Sequence, residues 1–286
     1  MPGSASHDRR RLPARPDLAA DFLRGSVVAS RFTSGRLMRI GVEITDLRES
    51  PAATAPVQTQ ALYGEAVTVF EEAEGWAWGQ LASDSYVGYL TCDALVEPGS
   101  QPTHRVRAPR SFVYASASMK SPVLMALPMG ATIRVVASEG LFAEMEDGGF
   151  IFAAHLDAMD RCESDFVGVA ERFLDAPYLW GGKSWLGLDC SGLVQIALAQ
   201  AGVGAPRDTD MMVAELGSAL AVDLASNLRR GDLVFWKGHV GVMQDRNLLL
   251  HANGHHMQVA SEPLGQATDR ISRAGGGPIT AIRRVG

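Results

Sequence analysis

The stretch "LGLDCSGLVQIALAQAG", residues 186–202, predicts a helix that begins at its cysteine. Apolar residues recur at helical spacing through its centre, and Gly202 supplies a C-terminal stop. The partly positive N-terminus of such a helix would lower the pKa of the Cys190 thiol and offer N–H groups to an oxyanion. A free cysteine is more often an inert buried thiol, but Asp189, Ser191 and Gly192 are poor choices for the start of an ordinary core helix. The stretch therefore favours a reactive thiol.

A thiol nucleophile needs a base, and two histidines follow in a region of predicted strands. The runs "HVGVMQ" and "NLLLHAN" are joined by "DRN" and are typical of a β-hairpin. If these three residues form the loop, Gly241 faces His251, and His239 lies diagonally across from His251 on the same face. One imidazole can then take the proton of Cys190 while the other holds the first in its working tautomer.

The bulk composition narrows the class of protein. The chain has 286 residues, enough for two or three domains, and its 47% hydrophobic and 20% charged residues are typical of a soluble globular protein. A net charge of -6 without a dense basic block argues against nucleic acid and anionic membrane surfaces as partners. Three cysteines without CxxC spacing argue against a disulfide framework and a zinc site.

The sequence contains neither a membrane-spanning run nor a secretory signal of the usual kind. No apolar run reaches about 18 residues, and no apolar stretch follows the basic residues near the N-terminus. We therefore expect a cytoplasmic protein, although export by another route stays open. His255 and His256 have no partners at ligand spacing, so we expect neither a metal nor a cofactor.

Shifts in pattern along the chain predict four segments. Residues 1–36 are polar and basic and predict a flexible or loosely docked arm with a short helix near "DLAADFL". Residues 37–98 and 103–160 contain short alternating runs in the same order, which indicates a repeat of two small β-barrels. Residues 163–286 place helices before strands and predict an α+β domain.

Several of these stretches resemble known bacterial domains. "EGWAWGQLASDSYVGYL" and "EGLFAEMEDGGFIFAAHL" resemble bacterial SH3-like domains, although aromatic residues such as Trp78 fit a barrel core better than a binding platform. "PYLWGGKSWLGLDCSGLVQ", "PRDTDMM", "RRGDLVFWKGHVGVMQ" and "LLLHANG" resemble, in the correct order, the NlpC/P60 cysteine peptidases. The resemblance implies a papain-like catalytic domain over residues 163–286, preceded by two SH3-like barrels.

The resemblance also implies roles for individual residues. Cys190 would be the nucleophile, His239 the general base and His251 the residue that orients it. Tyr178 would lie beside the substrate carbonyl group.

Tandem SH3-like domains before this core resemble the γ-D-glutamyl-L-diamino acid endopeptidases of murein peptide recycling. That resemblance implies a pocket for a free N-terminal L-Ala, with its ammonium on Asp208 and with Asp189 and Ser191 nearby. Glu65 and Tyr86 of the first barrel would cap the pocket. A simpler interpretation makes Asp208 a solvated loop residue or the cap of a helix at "TDMMVAEL".

Three other functions stay open at this point. The chain could be a general hydrolase of intact wall stem peptides, a non-catalytic module that binds wall peptides, or an acyltransferase with the same thiol chemistry. The simultaneous presence of Cys190, His239 and His251 favours a hydrolase over a binding module. The resemblance leaves both diaminopimelate and lysine open as the diamino acid, and we expect a monomer.

Overall fold

The computed structural model describes residues 8–221 and 227–285, and the first seven residues of the predicted arm lie outside this range. The chain divides into two compact units. The first contains the chain up to His104 with Phe112–Leu127 and Ala131–Ala153, and the second contains Arg105–Ser111, Pro128–Gly130 and the chain from Ala154. No helix among the described residues is both long and apolar enough to cross a membrane.

Residues 8–97 form nine strands. They are β1 Leu18–Ala20, β2 Arg31–Thr33, β3 Arg36–Ile40, β4 Ile44–Arg48, β5 Val57–Leu62, β6 Ala66–Ala73, β7 Trp76–Leu81, β8 Val87–Thr91 and β9 Leu95–Val96. Short 3-10 helices lie at Asp21–Leu23 and Cys92–Ala94. Strands β3 to β9 form one sheet in the order β5-β4-β8-β7-β6-β3-β9. Its core contains Met38, Ile40, Leu47 and Leu90, all buried.

The prediction of a flexible or loosely docked arm is wrong for the described residues 8–36. Strand β1 pairs in parallel with β2, and Leu18 and Leu23 pack with Phe70 and Trp78 in a buried cluster. The backbone N–H of Val87 also donates to the carbonyl oxygen of Arg10 at 2.7 Å. A polar composition hid these few apolar side chains, whose burial holds the arm against the barrel. The short helix predicted near "DLAADFL" is the 3-10 turn Asp21–Leu23.

The segment from 103 to 160 repeats this strand order. Its strands are β10 His104–Val106, β11 Arg110–Tyr114, β12 Val123–Pro128, β13 Thr132–Ile133, β14 Val135–Glu139, β15 Phe142–Met145, β16 Phe150–Phe152 and β17 Leu156–Ala158, with a 3-10 helix at Ala153–His155. The order β12-β11-β16-β15-β14 corresponds to β5-β4-β8-β7-β6, and the pair β10-β17 corresponds to β3-β9. This segment contributes residues to both compact units, which no sequence pattern indicated.

The remainder of the chain places helices around a six-stranded sheet. Its elements are α1 Phe166–Glu171, β18 Lys183–Ser184, β19 Gly187–Leu188, α2 Cys190–Gln200, α3 Thr209–Glu215, β20 Ser218–Leu220, β21 Asp232–Trp236, β22 His239–Met243, β23 Leu248–Asn253, β24 Gln258–Pro263, α4 Leu264–Arg273 and β25 Ala281–Arg284. The sheet order is β20-β25-β21-β22-β23-β24. Helix α2 packs on β22 and β23. The predicted α+β class is confirmed, whereas helix α4 was not predicted.

Candidate active site

Helix α2 begins at Cys190, as its sequence predicts. Asp189 is the N-cap, and its Oδ1 accepts the Gly192 N–H at 2.7 Å. A Cβ atom on Gly192 would lie 2.2 Å from the Gly182 carbonyl oxygen, so only glycine allows this approach of the loop to the helix. The cap and the glycine together present Cys190, which is 8% exposed, at the first position of the helix.

The environment of the thiol differs from the sequence-based expectation. Burial, followed by the charge of Asp189, raises the pKa of Cys190 to about 12, although the Val240 and Ser191 N–H groups hydrogen-bond to the sulfur. The expectation of a lowered pKa considered only the helix terminus, and desolvation outweighs it. The resting group is a neutral thiol that must lose its proton to a base before or during attack.

The two histidines meet on neighbouring strands. Val242 pairs with Leu250 and Met243 pairs with Leu249, so Gly241 faces His251 as the three-residue loop predicts. A Cβ atom on Gly241 would lie 2.7 Å from Leu249 Cδ1, and glycine there leaves room beside the imidazoles. The Nε2 of His239 lies 2.8 Å from the Nδ1 of His251. Strand β22 also packs against α2, and the N–H of Val240, the residue after His239, hydrogen-bonds to the Cys190 sulfur, which brings the cysteine close to the strand of His239.

The hydrogen bonds between the two histidines continue to Glu262, a residue that the sequence did not reveal. The Nε2 of His251 lies 2.8 Å from Oε1 of Glu262, and the guanidinium of Arg270 contacts the same oxygen. On β24, Ala260 pairs with His251, and Glu262 is two residues further on the same face. The sequence signal for Glu262 is this alternation of faces along the strand. It can be used only when the register of β24 against β23 is known.

Burial keeps both imidazoles neutral at pH 7. It lowers the pKa of His239 to about 3, with the neighbouring His251 as the next cause. It also lowers the pKa of His251, whose side chain is inaccessible to solvent. The hydrogen bond from His251 lowers the pKa of Glu262 to about 2, so this carboxylate is ionised. The site therefore contains a neutral thiol, two neutral imidazoles and a carboxylate.

These shifts predict that stability falls as the pH drops from 6.5 to 5. Histidines in the unfolded chain take up protons near pH 6.5, whereas His239 in the folded chain, with its pKa lowered to about 3, does not. The unfolded state binds more protons, so we expect a loss of roughly 1 kcal/mol per pH unit from His239. The lowered pKa of His251 acts in the same direction. His155, whose pKa is also lowered, adds to the same trend. Urea unfolding at pH 7.5, 6 and 5 measures the slope.

The variant His239→Gln is the control for this slope, because it removes one of the titrating groups. We expect a shallower loss of unfolding free energy for the variant between pH 6.5 and 5. A wild-type protein that gains stability on acidification in this window would contradict the buried neutral state of the histidines.

Asp189 and Ser191, both predicted to lie near the substrate, are held by Arg207. Arg207 is 1% exposed and its Nη2 donates to Asp189 Oδ2 at 2.6 Å, while its Nη1 donates to the Ser191 hydroxyl at 2.7 Å. The Gly181 N–H also donates to Asp189 at 2.9 Å. Asp189 thus links the helix cap, the preceding loop and Arg207, and this ion pair is a second feature that the sequence did not reveal.

Asp208 follows this arginine at the start of α3. It occupies the N-cap position of α3, and its side chain makes no capping hydrogen bond there. The residue is half-buried, and its charge acts on Arg207. The position is compatible with an ammonium-binding role, which stays a prediction.

Tyr178 lies near enough to Cys190 for the thiol to act on its hydroxyl, and its place beside the substrate carbonyl group stays a prediction. Its backbone pairs with Leu188, just before the helix cap, and it is half-buried. Burial raises its pKa to about 12, and the charges of Cys190 and Asp189 add to the shift. The hydroxyl is therefore protonated and can donate a hydrogen bond to an oxygen atom near Cys190.

The two predicted capping residues lie in the first unit. Glu65 accepts the Leu62 N–H at 3.1 Å and contacts Ser83, whereas Tyr86 is 2% exposed and lines a groove with Arg10 and Tyr89. Their predicted role at the substrate pocket stays a prediction.

One group of residues in the second unit has donor atoms at metal-ligand spacing. The donor atoms of His251, His256 and Glu262 lie within 4.8 Å of one another. Arg270 contacts the same Glu262 oxygen that His251 does, and this cation disfavours a metal there. The hydrogen bonds that join His239, His251 and Glu262 already account for the positions of His251 and Glu262.

Two family profiles match the chain. The profile of the bacterial dipeptidyl-peptidase SH3 domain matches residues 47–95, within the first predicted barrel. The profile of the NlpC/P60 family matches residues 175–273, which contain Cys190, His239, His251 and Glu262.

Individual proteins extend these matches over most of the chain. Dipeptidyl-peptidase 6 of Lysinibacillus sphaericus is 27% identical over 244 residues, covering 76% of this chain and 89% of the relative. The gamma-D-glutamyl-L-lysine dipeptidyl-peptidase of Bacillus subtilis is 29% identical over 222 residues, covering 68% and 72%. The crystal structure of an NlpC/P60 family protein from Bacillus cereus has a TM-score of 0.72 at 18% identity, covering 87% of this chain and 99% of that one.

The matched ranges agree with the geometry of the site. The residues matched by the NlpC/P60 profile are those that bring a thiol, two imidazoles and a carboxylate together. The chain thus carries a bacterial SH3 domain followed by an NlpC/P60 domain, and it is a cysteine peptidase.

Proposed function

We propose that this cysteine peptidase hydrolyses the γ-D-Glu–diamino acid bond of murein-derived peptides that carry a free N-terminal L-Ala. The observation that carries the proposal is the hydrogen bond from the Val240 N–H to Cys190 at the start of α2, one residue along β22 from His239, whose ring contacts His251. Two relatives that match most of the chain are dipeptidyl-peptidases by name, and one of these names specifies a γ-D-glutamyl-L-lysine bond. A role in cell-wall recycling, in the cytoplasm and as a monomer, is part of the same proposal.

In the proposed mechanism, the sulfur of Cys190 attacks the γ-carbonyl carbon of D-Glu while His239 takes the thiol proton. N–H groups at the start of α2 and the Tyr178 hydroxyl stabilise the negative oxygen. His239 then gives its proton to the leaving amine, and the diamino acid departs. Water, deprotonated by His239, hydrolyses the thioester and restores the thiol.

Asp208 supports the preference for a free amine. The half-buried carboxylate lies at the start of α3, directly after Arg207, which holds Asp189 and Ser191 at the start of the helix that carries Cys190. Removing one partner of a buried, hydrogen-bonded charge pair costs about 2–5 kcal/mol. An N-acylated alanine has no ammonium group and adds bulk, so a pocket of this kind would reject peptides that are still attached to muramic acid.

We expect free L-Ala-γ-D-Glu-diaminopimelate to be cleaved at least about 30-fold faster than its N-acetylated form, which corresponds to about 2 kcal/mol. Release of diaminopimelate measures both rates, and the lysine peptide tests the diamino acid. Asp208→Asn should reduce the ratio of the two cleavage rates, mainly by slowing cleavage of the free peptide. Asp210→Asn, on the same helix, is the control. Equal rates on both peptides would indicate a general hydrolase of intact wall peptides. No cleavage of either peptide would favour the binding module.

A further inference from the structure

We propose that Glu262 is a positioning residue, which sets the tautomers of both histidines and so directs the basic nitrogen of His239 toward Cys190. The proposal rests on the hydrogen bonds that join His239 to His251 and His251 to Glu262 in one line. It also rests on the proposed roles of Cys190 and His239, and the experiment below separates the two.

The direction of each hydrogen bond follows from the carboxylate. An ionised carboxylate can only accept, so the Nε2 of His251 must carry a hydrogen and donate it to Glu262. A neutral imidazole has one N–H, and therefore the Nδ1 of His251 is an acceptor. The Nε2 of His239, 2.8 Å away, must then be the donor. This leaves the Nδ1 of His239 as the unprotonated nitrogen, which is the one available as a base.

The surroundings of Glu262 maintain these donor and acceptor roles. Its side chain is only 12% exposed, and Arg270 of α4 contacts the oxygen that accepts from His251. This guanidinium compensates the buried carboxylate, so His251 need not become an imidazolium to do so. Among the residues facing the line, Arg270 and His256 disfavour a positive charge on His251, whereas Glu262 favours it.

Glu262→Gln would remove the fixed direction of these hydrogen bonds. Its amide can donate to His251 as well as accept from it, so both tautomers of His251 become available. In the reversed line, His251 donates from Nδ1, His239 accepts at Nε2, and the hydrogen of His239 moves to Nδ1. That form cannot take a proton from Cys190.

The experiment compares the wild type with Glu262→Gln by nitrogen NMR of 15N-histidine-labelled protein and by peptide cleavage. In the wild type we expect an unprotonated Nδ1 and a protonated Nε2 on His239 near pH 7. In Glu262→Gln we expect both tautomers and a fall in kcat of about 10–100-fold with little change in KM. The loss is smaller than the factor of about 10⁴ that follows when the residue directly bonded to a catalytic histidine allows the wrong tautomer. Glu262→Asp, which keeps an acceptor-only group, should retain the wild-type tautomers and recover part of kcat.

Glu171→Gln is the matched control. Glu171 is a half-buried carboxylate that accepts from Arg230 and Gln244, outside the catalytic line, so kcat and the tautomers should remain those of the wild type. A wild-type spectrum with the hydrogen of His239 on Nδ1 overturns the proposal, even if Glu262→Gln does not fold. Unchanged tautomers in a folded Glu262→Gln protein overturn it as well. An active Cys190→Ala protein would instead refute the proposed function.

Discussion

Replacing Cys190 with alanine is expected to lower kcat for the murein tripeptide by about 10⁴–10⁶ while the protein stays folded. No other side chain at the site can form the covalent thioester, and His239 without the thiol can only deprotonate water. Cys190 is buried, 8% exposed, but the change removes only one heavy atom from its side chain, so the melting temperature should change by only a few degrees. Release of the diamino acid and thermal unfolding measure the two effects.

The controls for this experiment are the other two cysteines. Cys92 is half-buried in the first barrel, and Cys162 is exposed. Cys92→Ala and Cys162→Ala should both retain the wild-type kcat. If Cys190→Ala kept more than about one hundredth of the activity, the thiol mechanism would be rejected. If Cys162→Ala were inactive and folded, the nucleophile would have to be sought outside α2.

Replacing His239 with alanine is expected to lower kcat by about 10²–10⁴, and more than the same change at His251. With a pKa near 12, the thiol of Cys190 is protonated at pH 7 and depends on a base for every turnover. His239 is the half-buried imidazole on the strand that also hydrogen-bonds to the sulfur through Val240, whereas His251 is fully buried behind it. His251 therefore orients the base. When His251 is lost, the imidazole of His239 is still present but is wrongly oriented.

The pH profile and a third histidine complete this test. Because the pKa of His239 is lowered to about 3, kcat/KM should not show an acid limb near pH 6.5 as long as the protein is folded. His255, an exposed histidine in the loop after β23, is the control, and His255→Ala should be fully active. A His239→Ala protein with wild-type kcat, or a larger loss at His251 than at His239, would exclude the proposed division of roles.

Local patterns in the sequence were sufficient for the central parts of the site. Helical spacing and the glycine at 202 predict the helix with Cys190 at its start, and α2 begins there. The three-residue link "DRN" sets the register of β22 against β23, because a short loop leaves few pairings. The diagonal placement of His239 and His251 follows from that register and is confirmed by their 2.8 Å contact.

Only the tertiary structure decided the features that depend on burial or on distant pairing. The pKa of Cys190 is raised rather than lowered because desolvation by the surrounding fold outweighs the helix terminus, and no local pattern measures burial. The arm before residue 36 is packed because Leu18 and Leu23 find Phe70 and Trp78 far along the chain. Glu262 reaches His251 through the pairing of β24 with β23, in which Ala260 faces His251, and Arg270 reaches the same carboxylate from helix α4. The sequence by itself therefore determined which groups can react, while long-range packing decided their protonation and which carboxylate directs them.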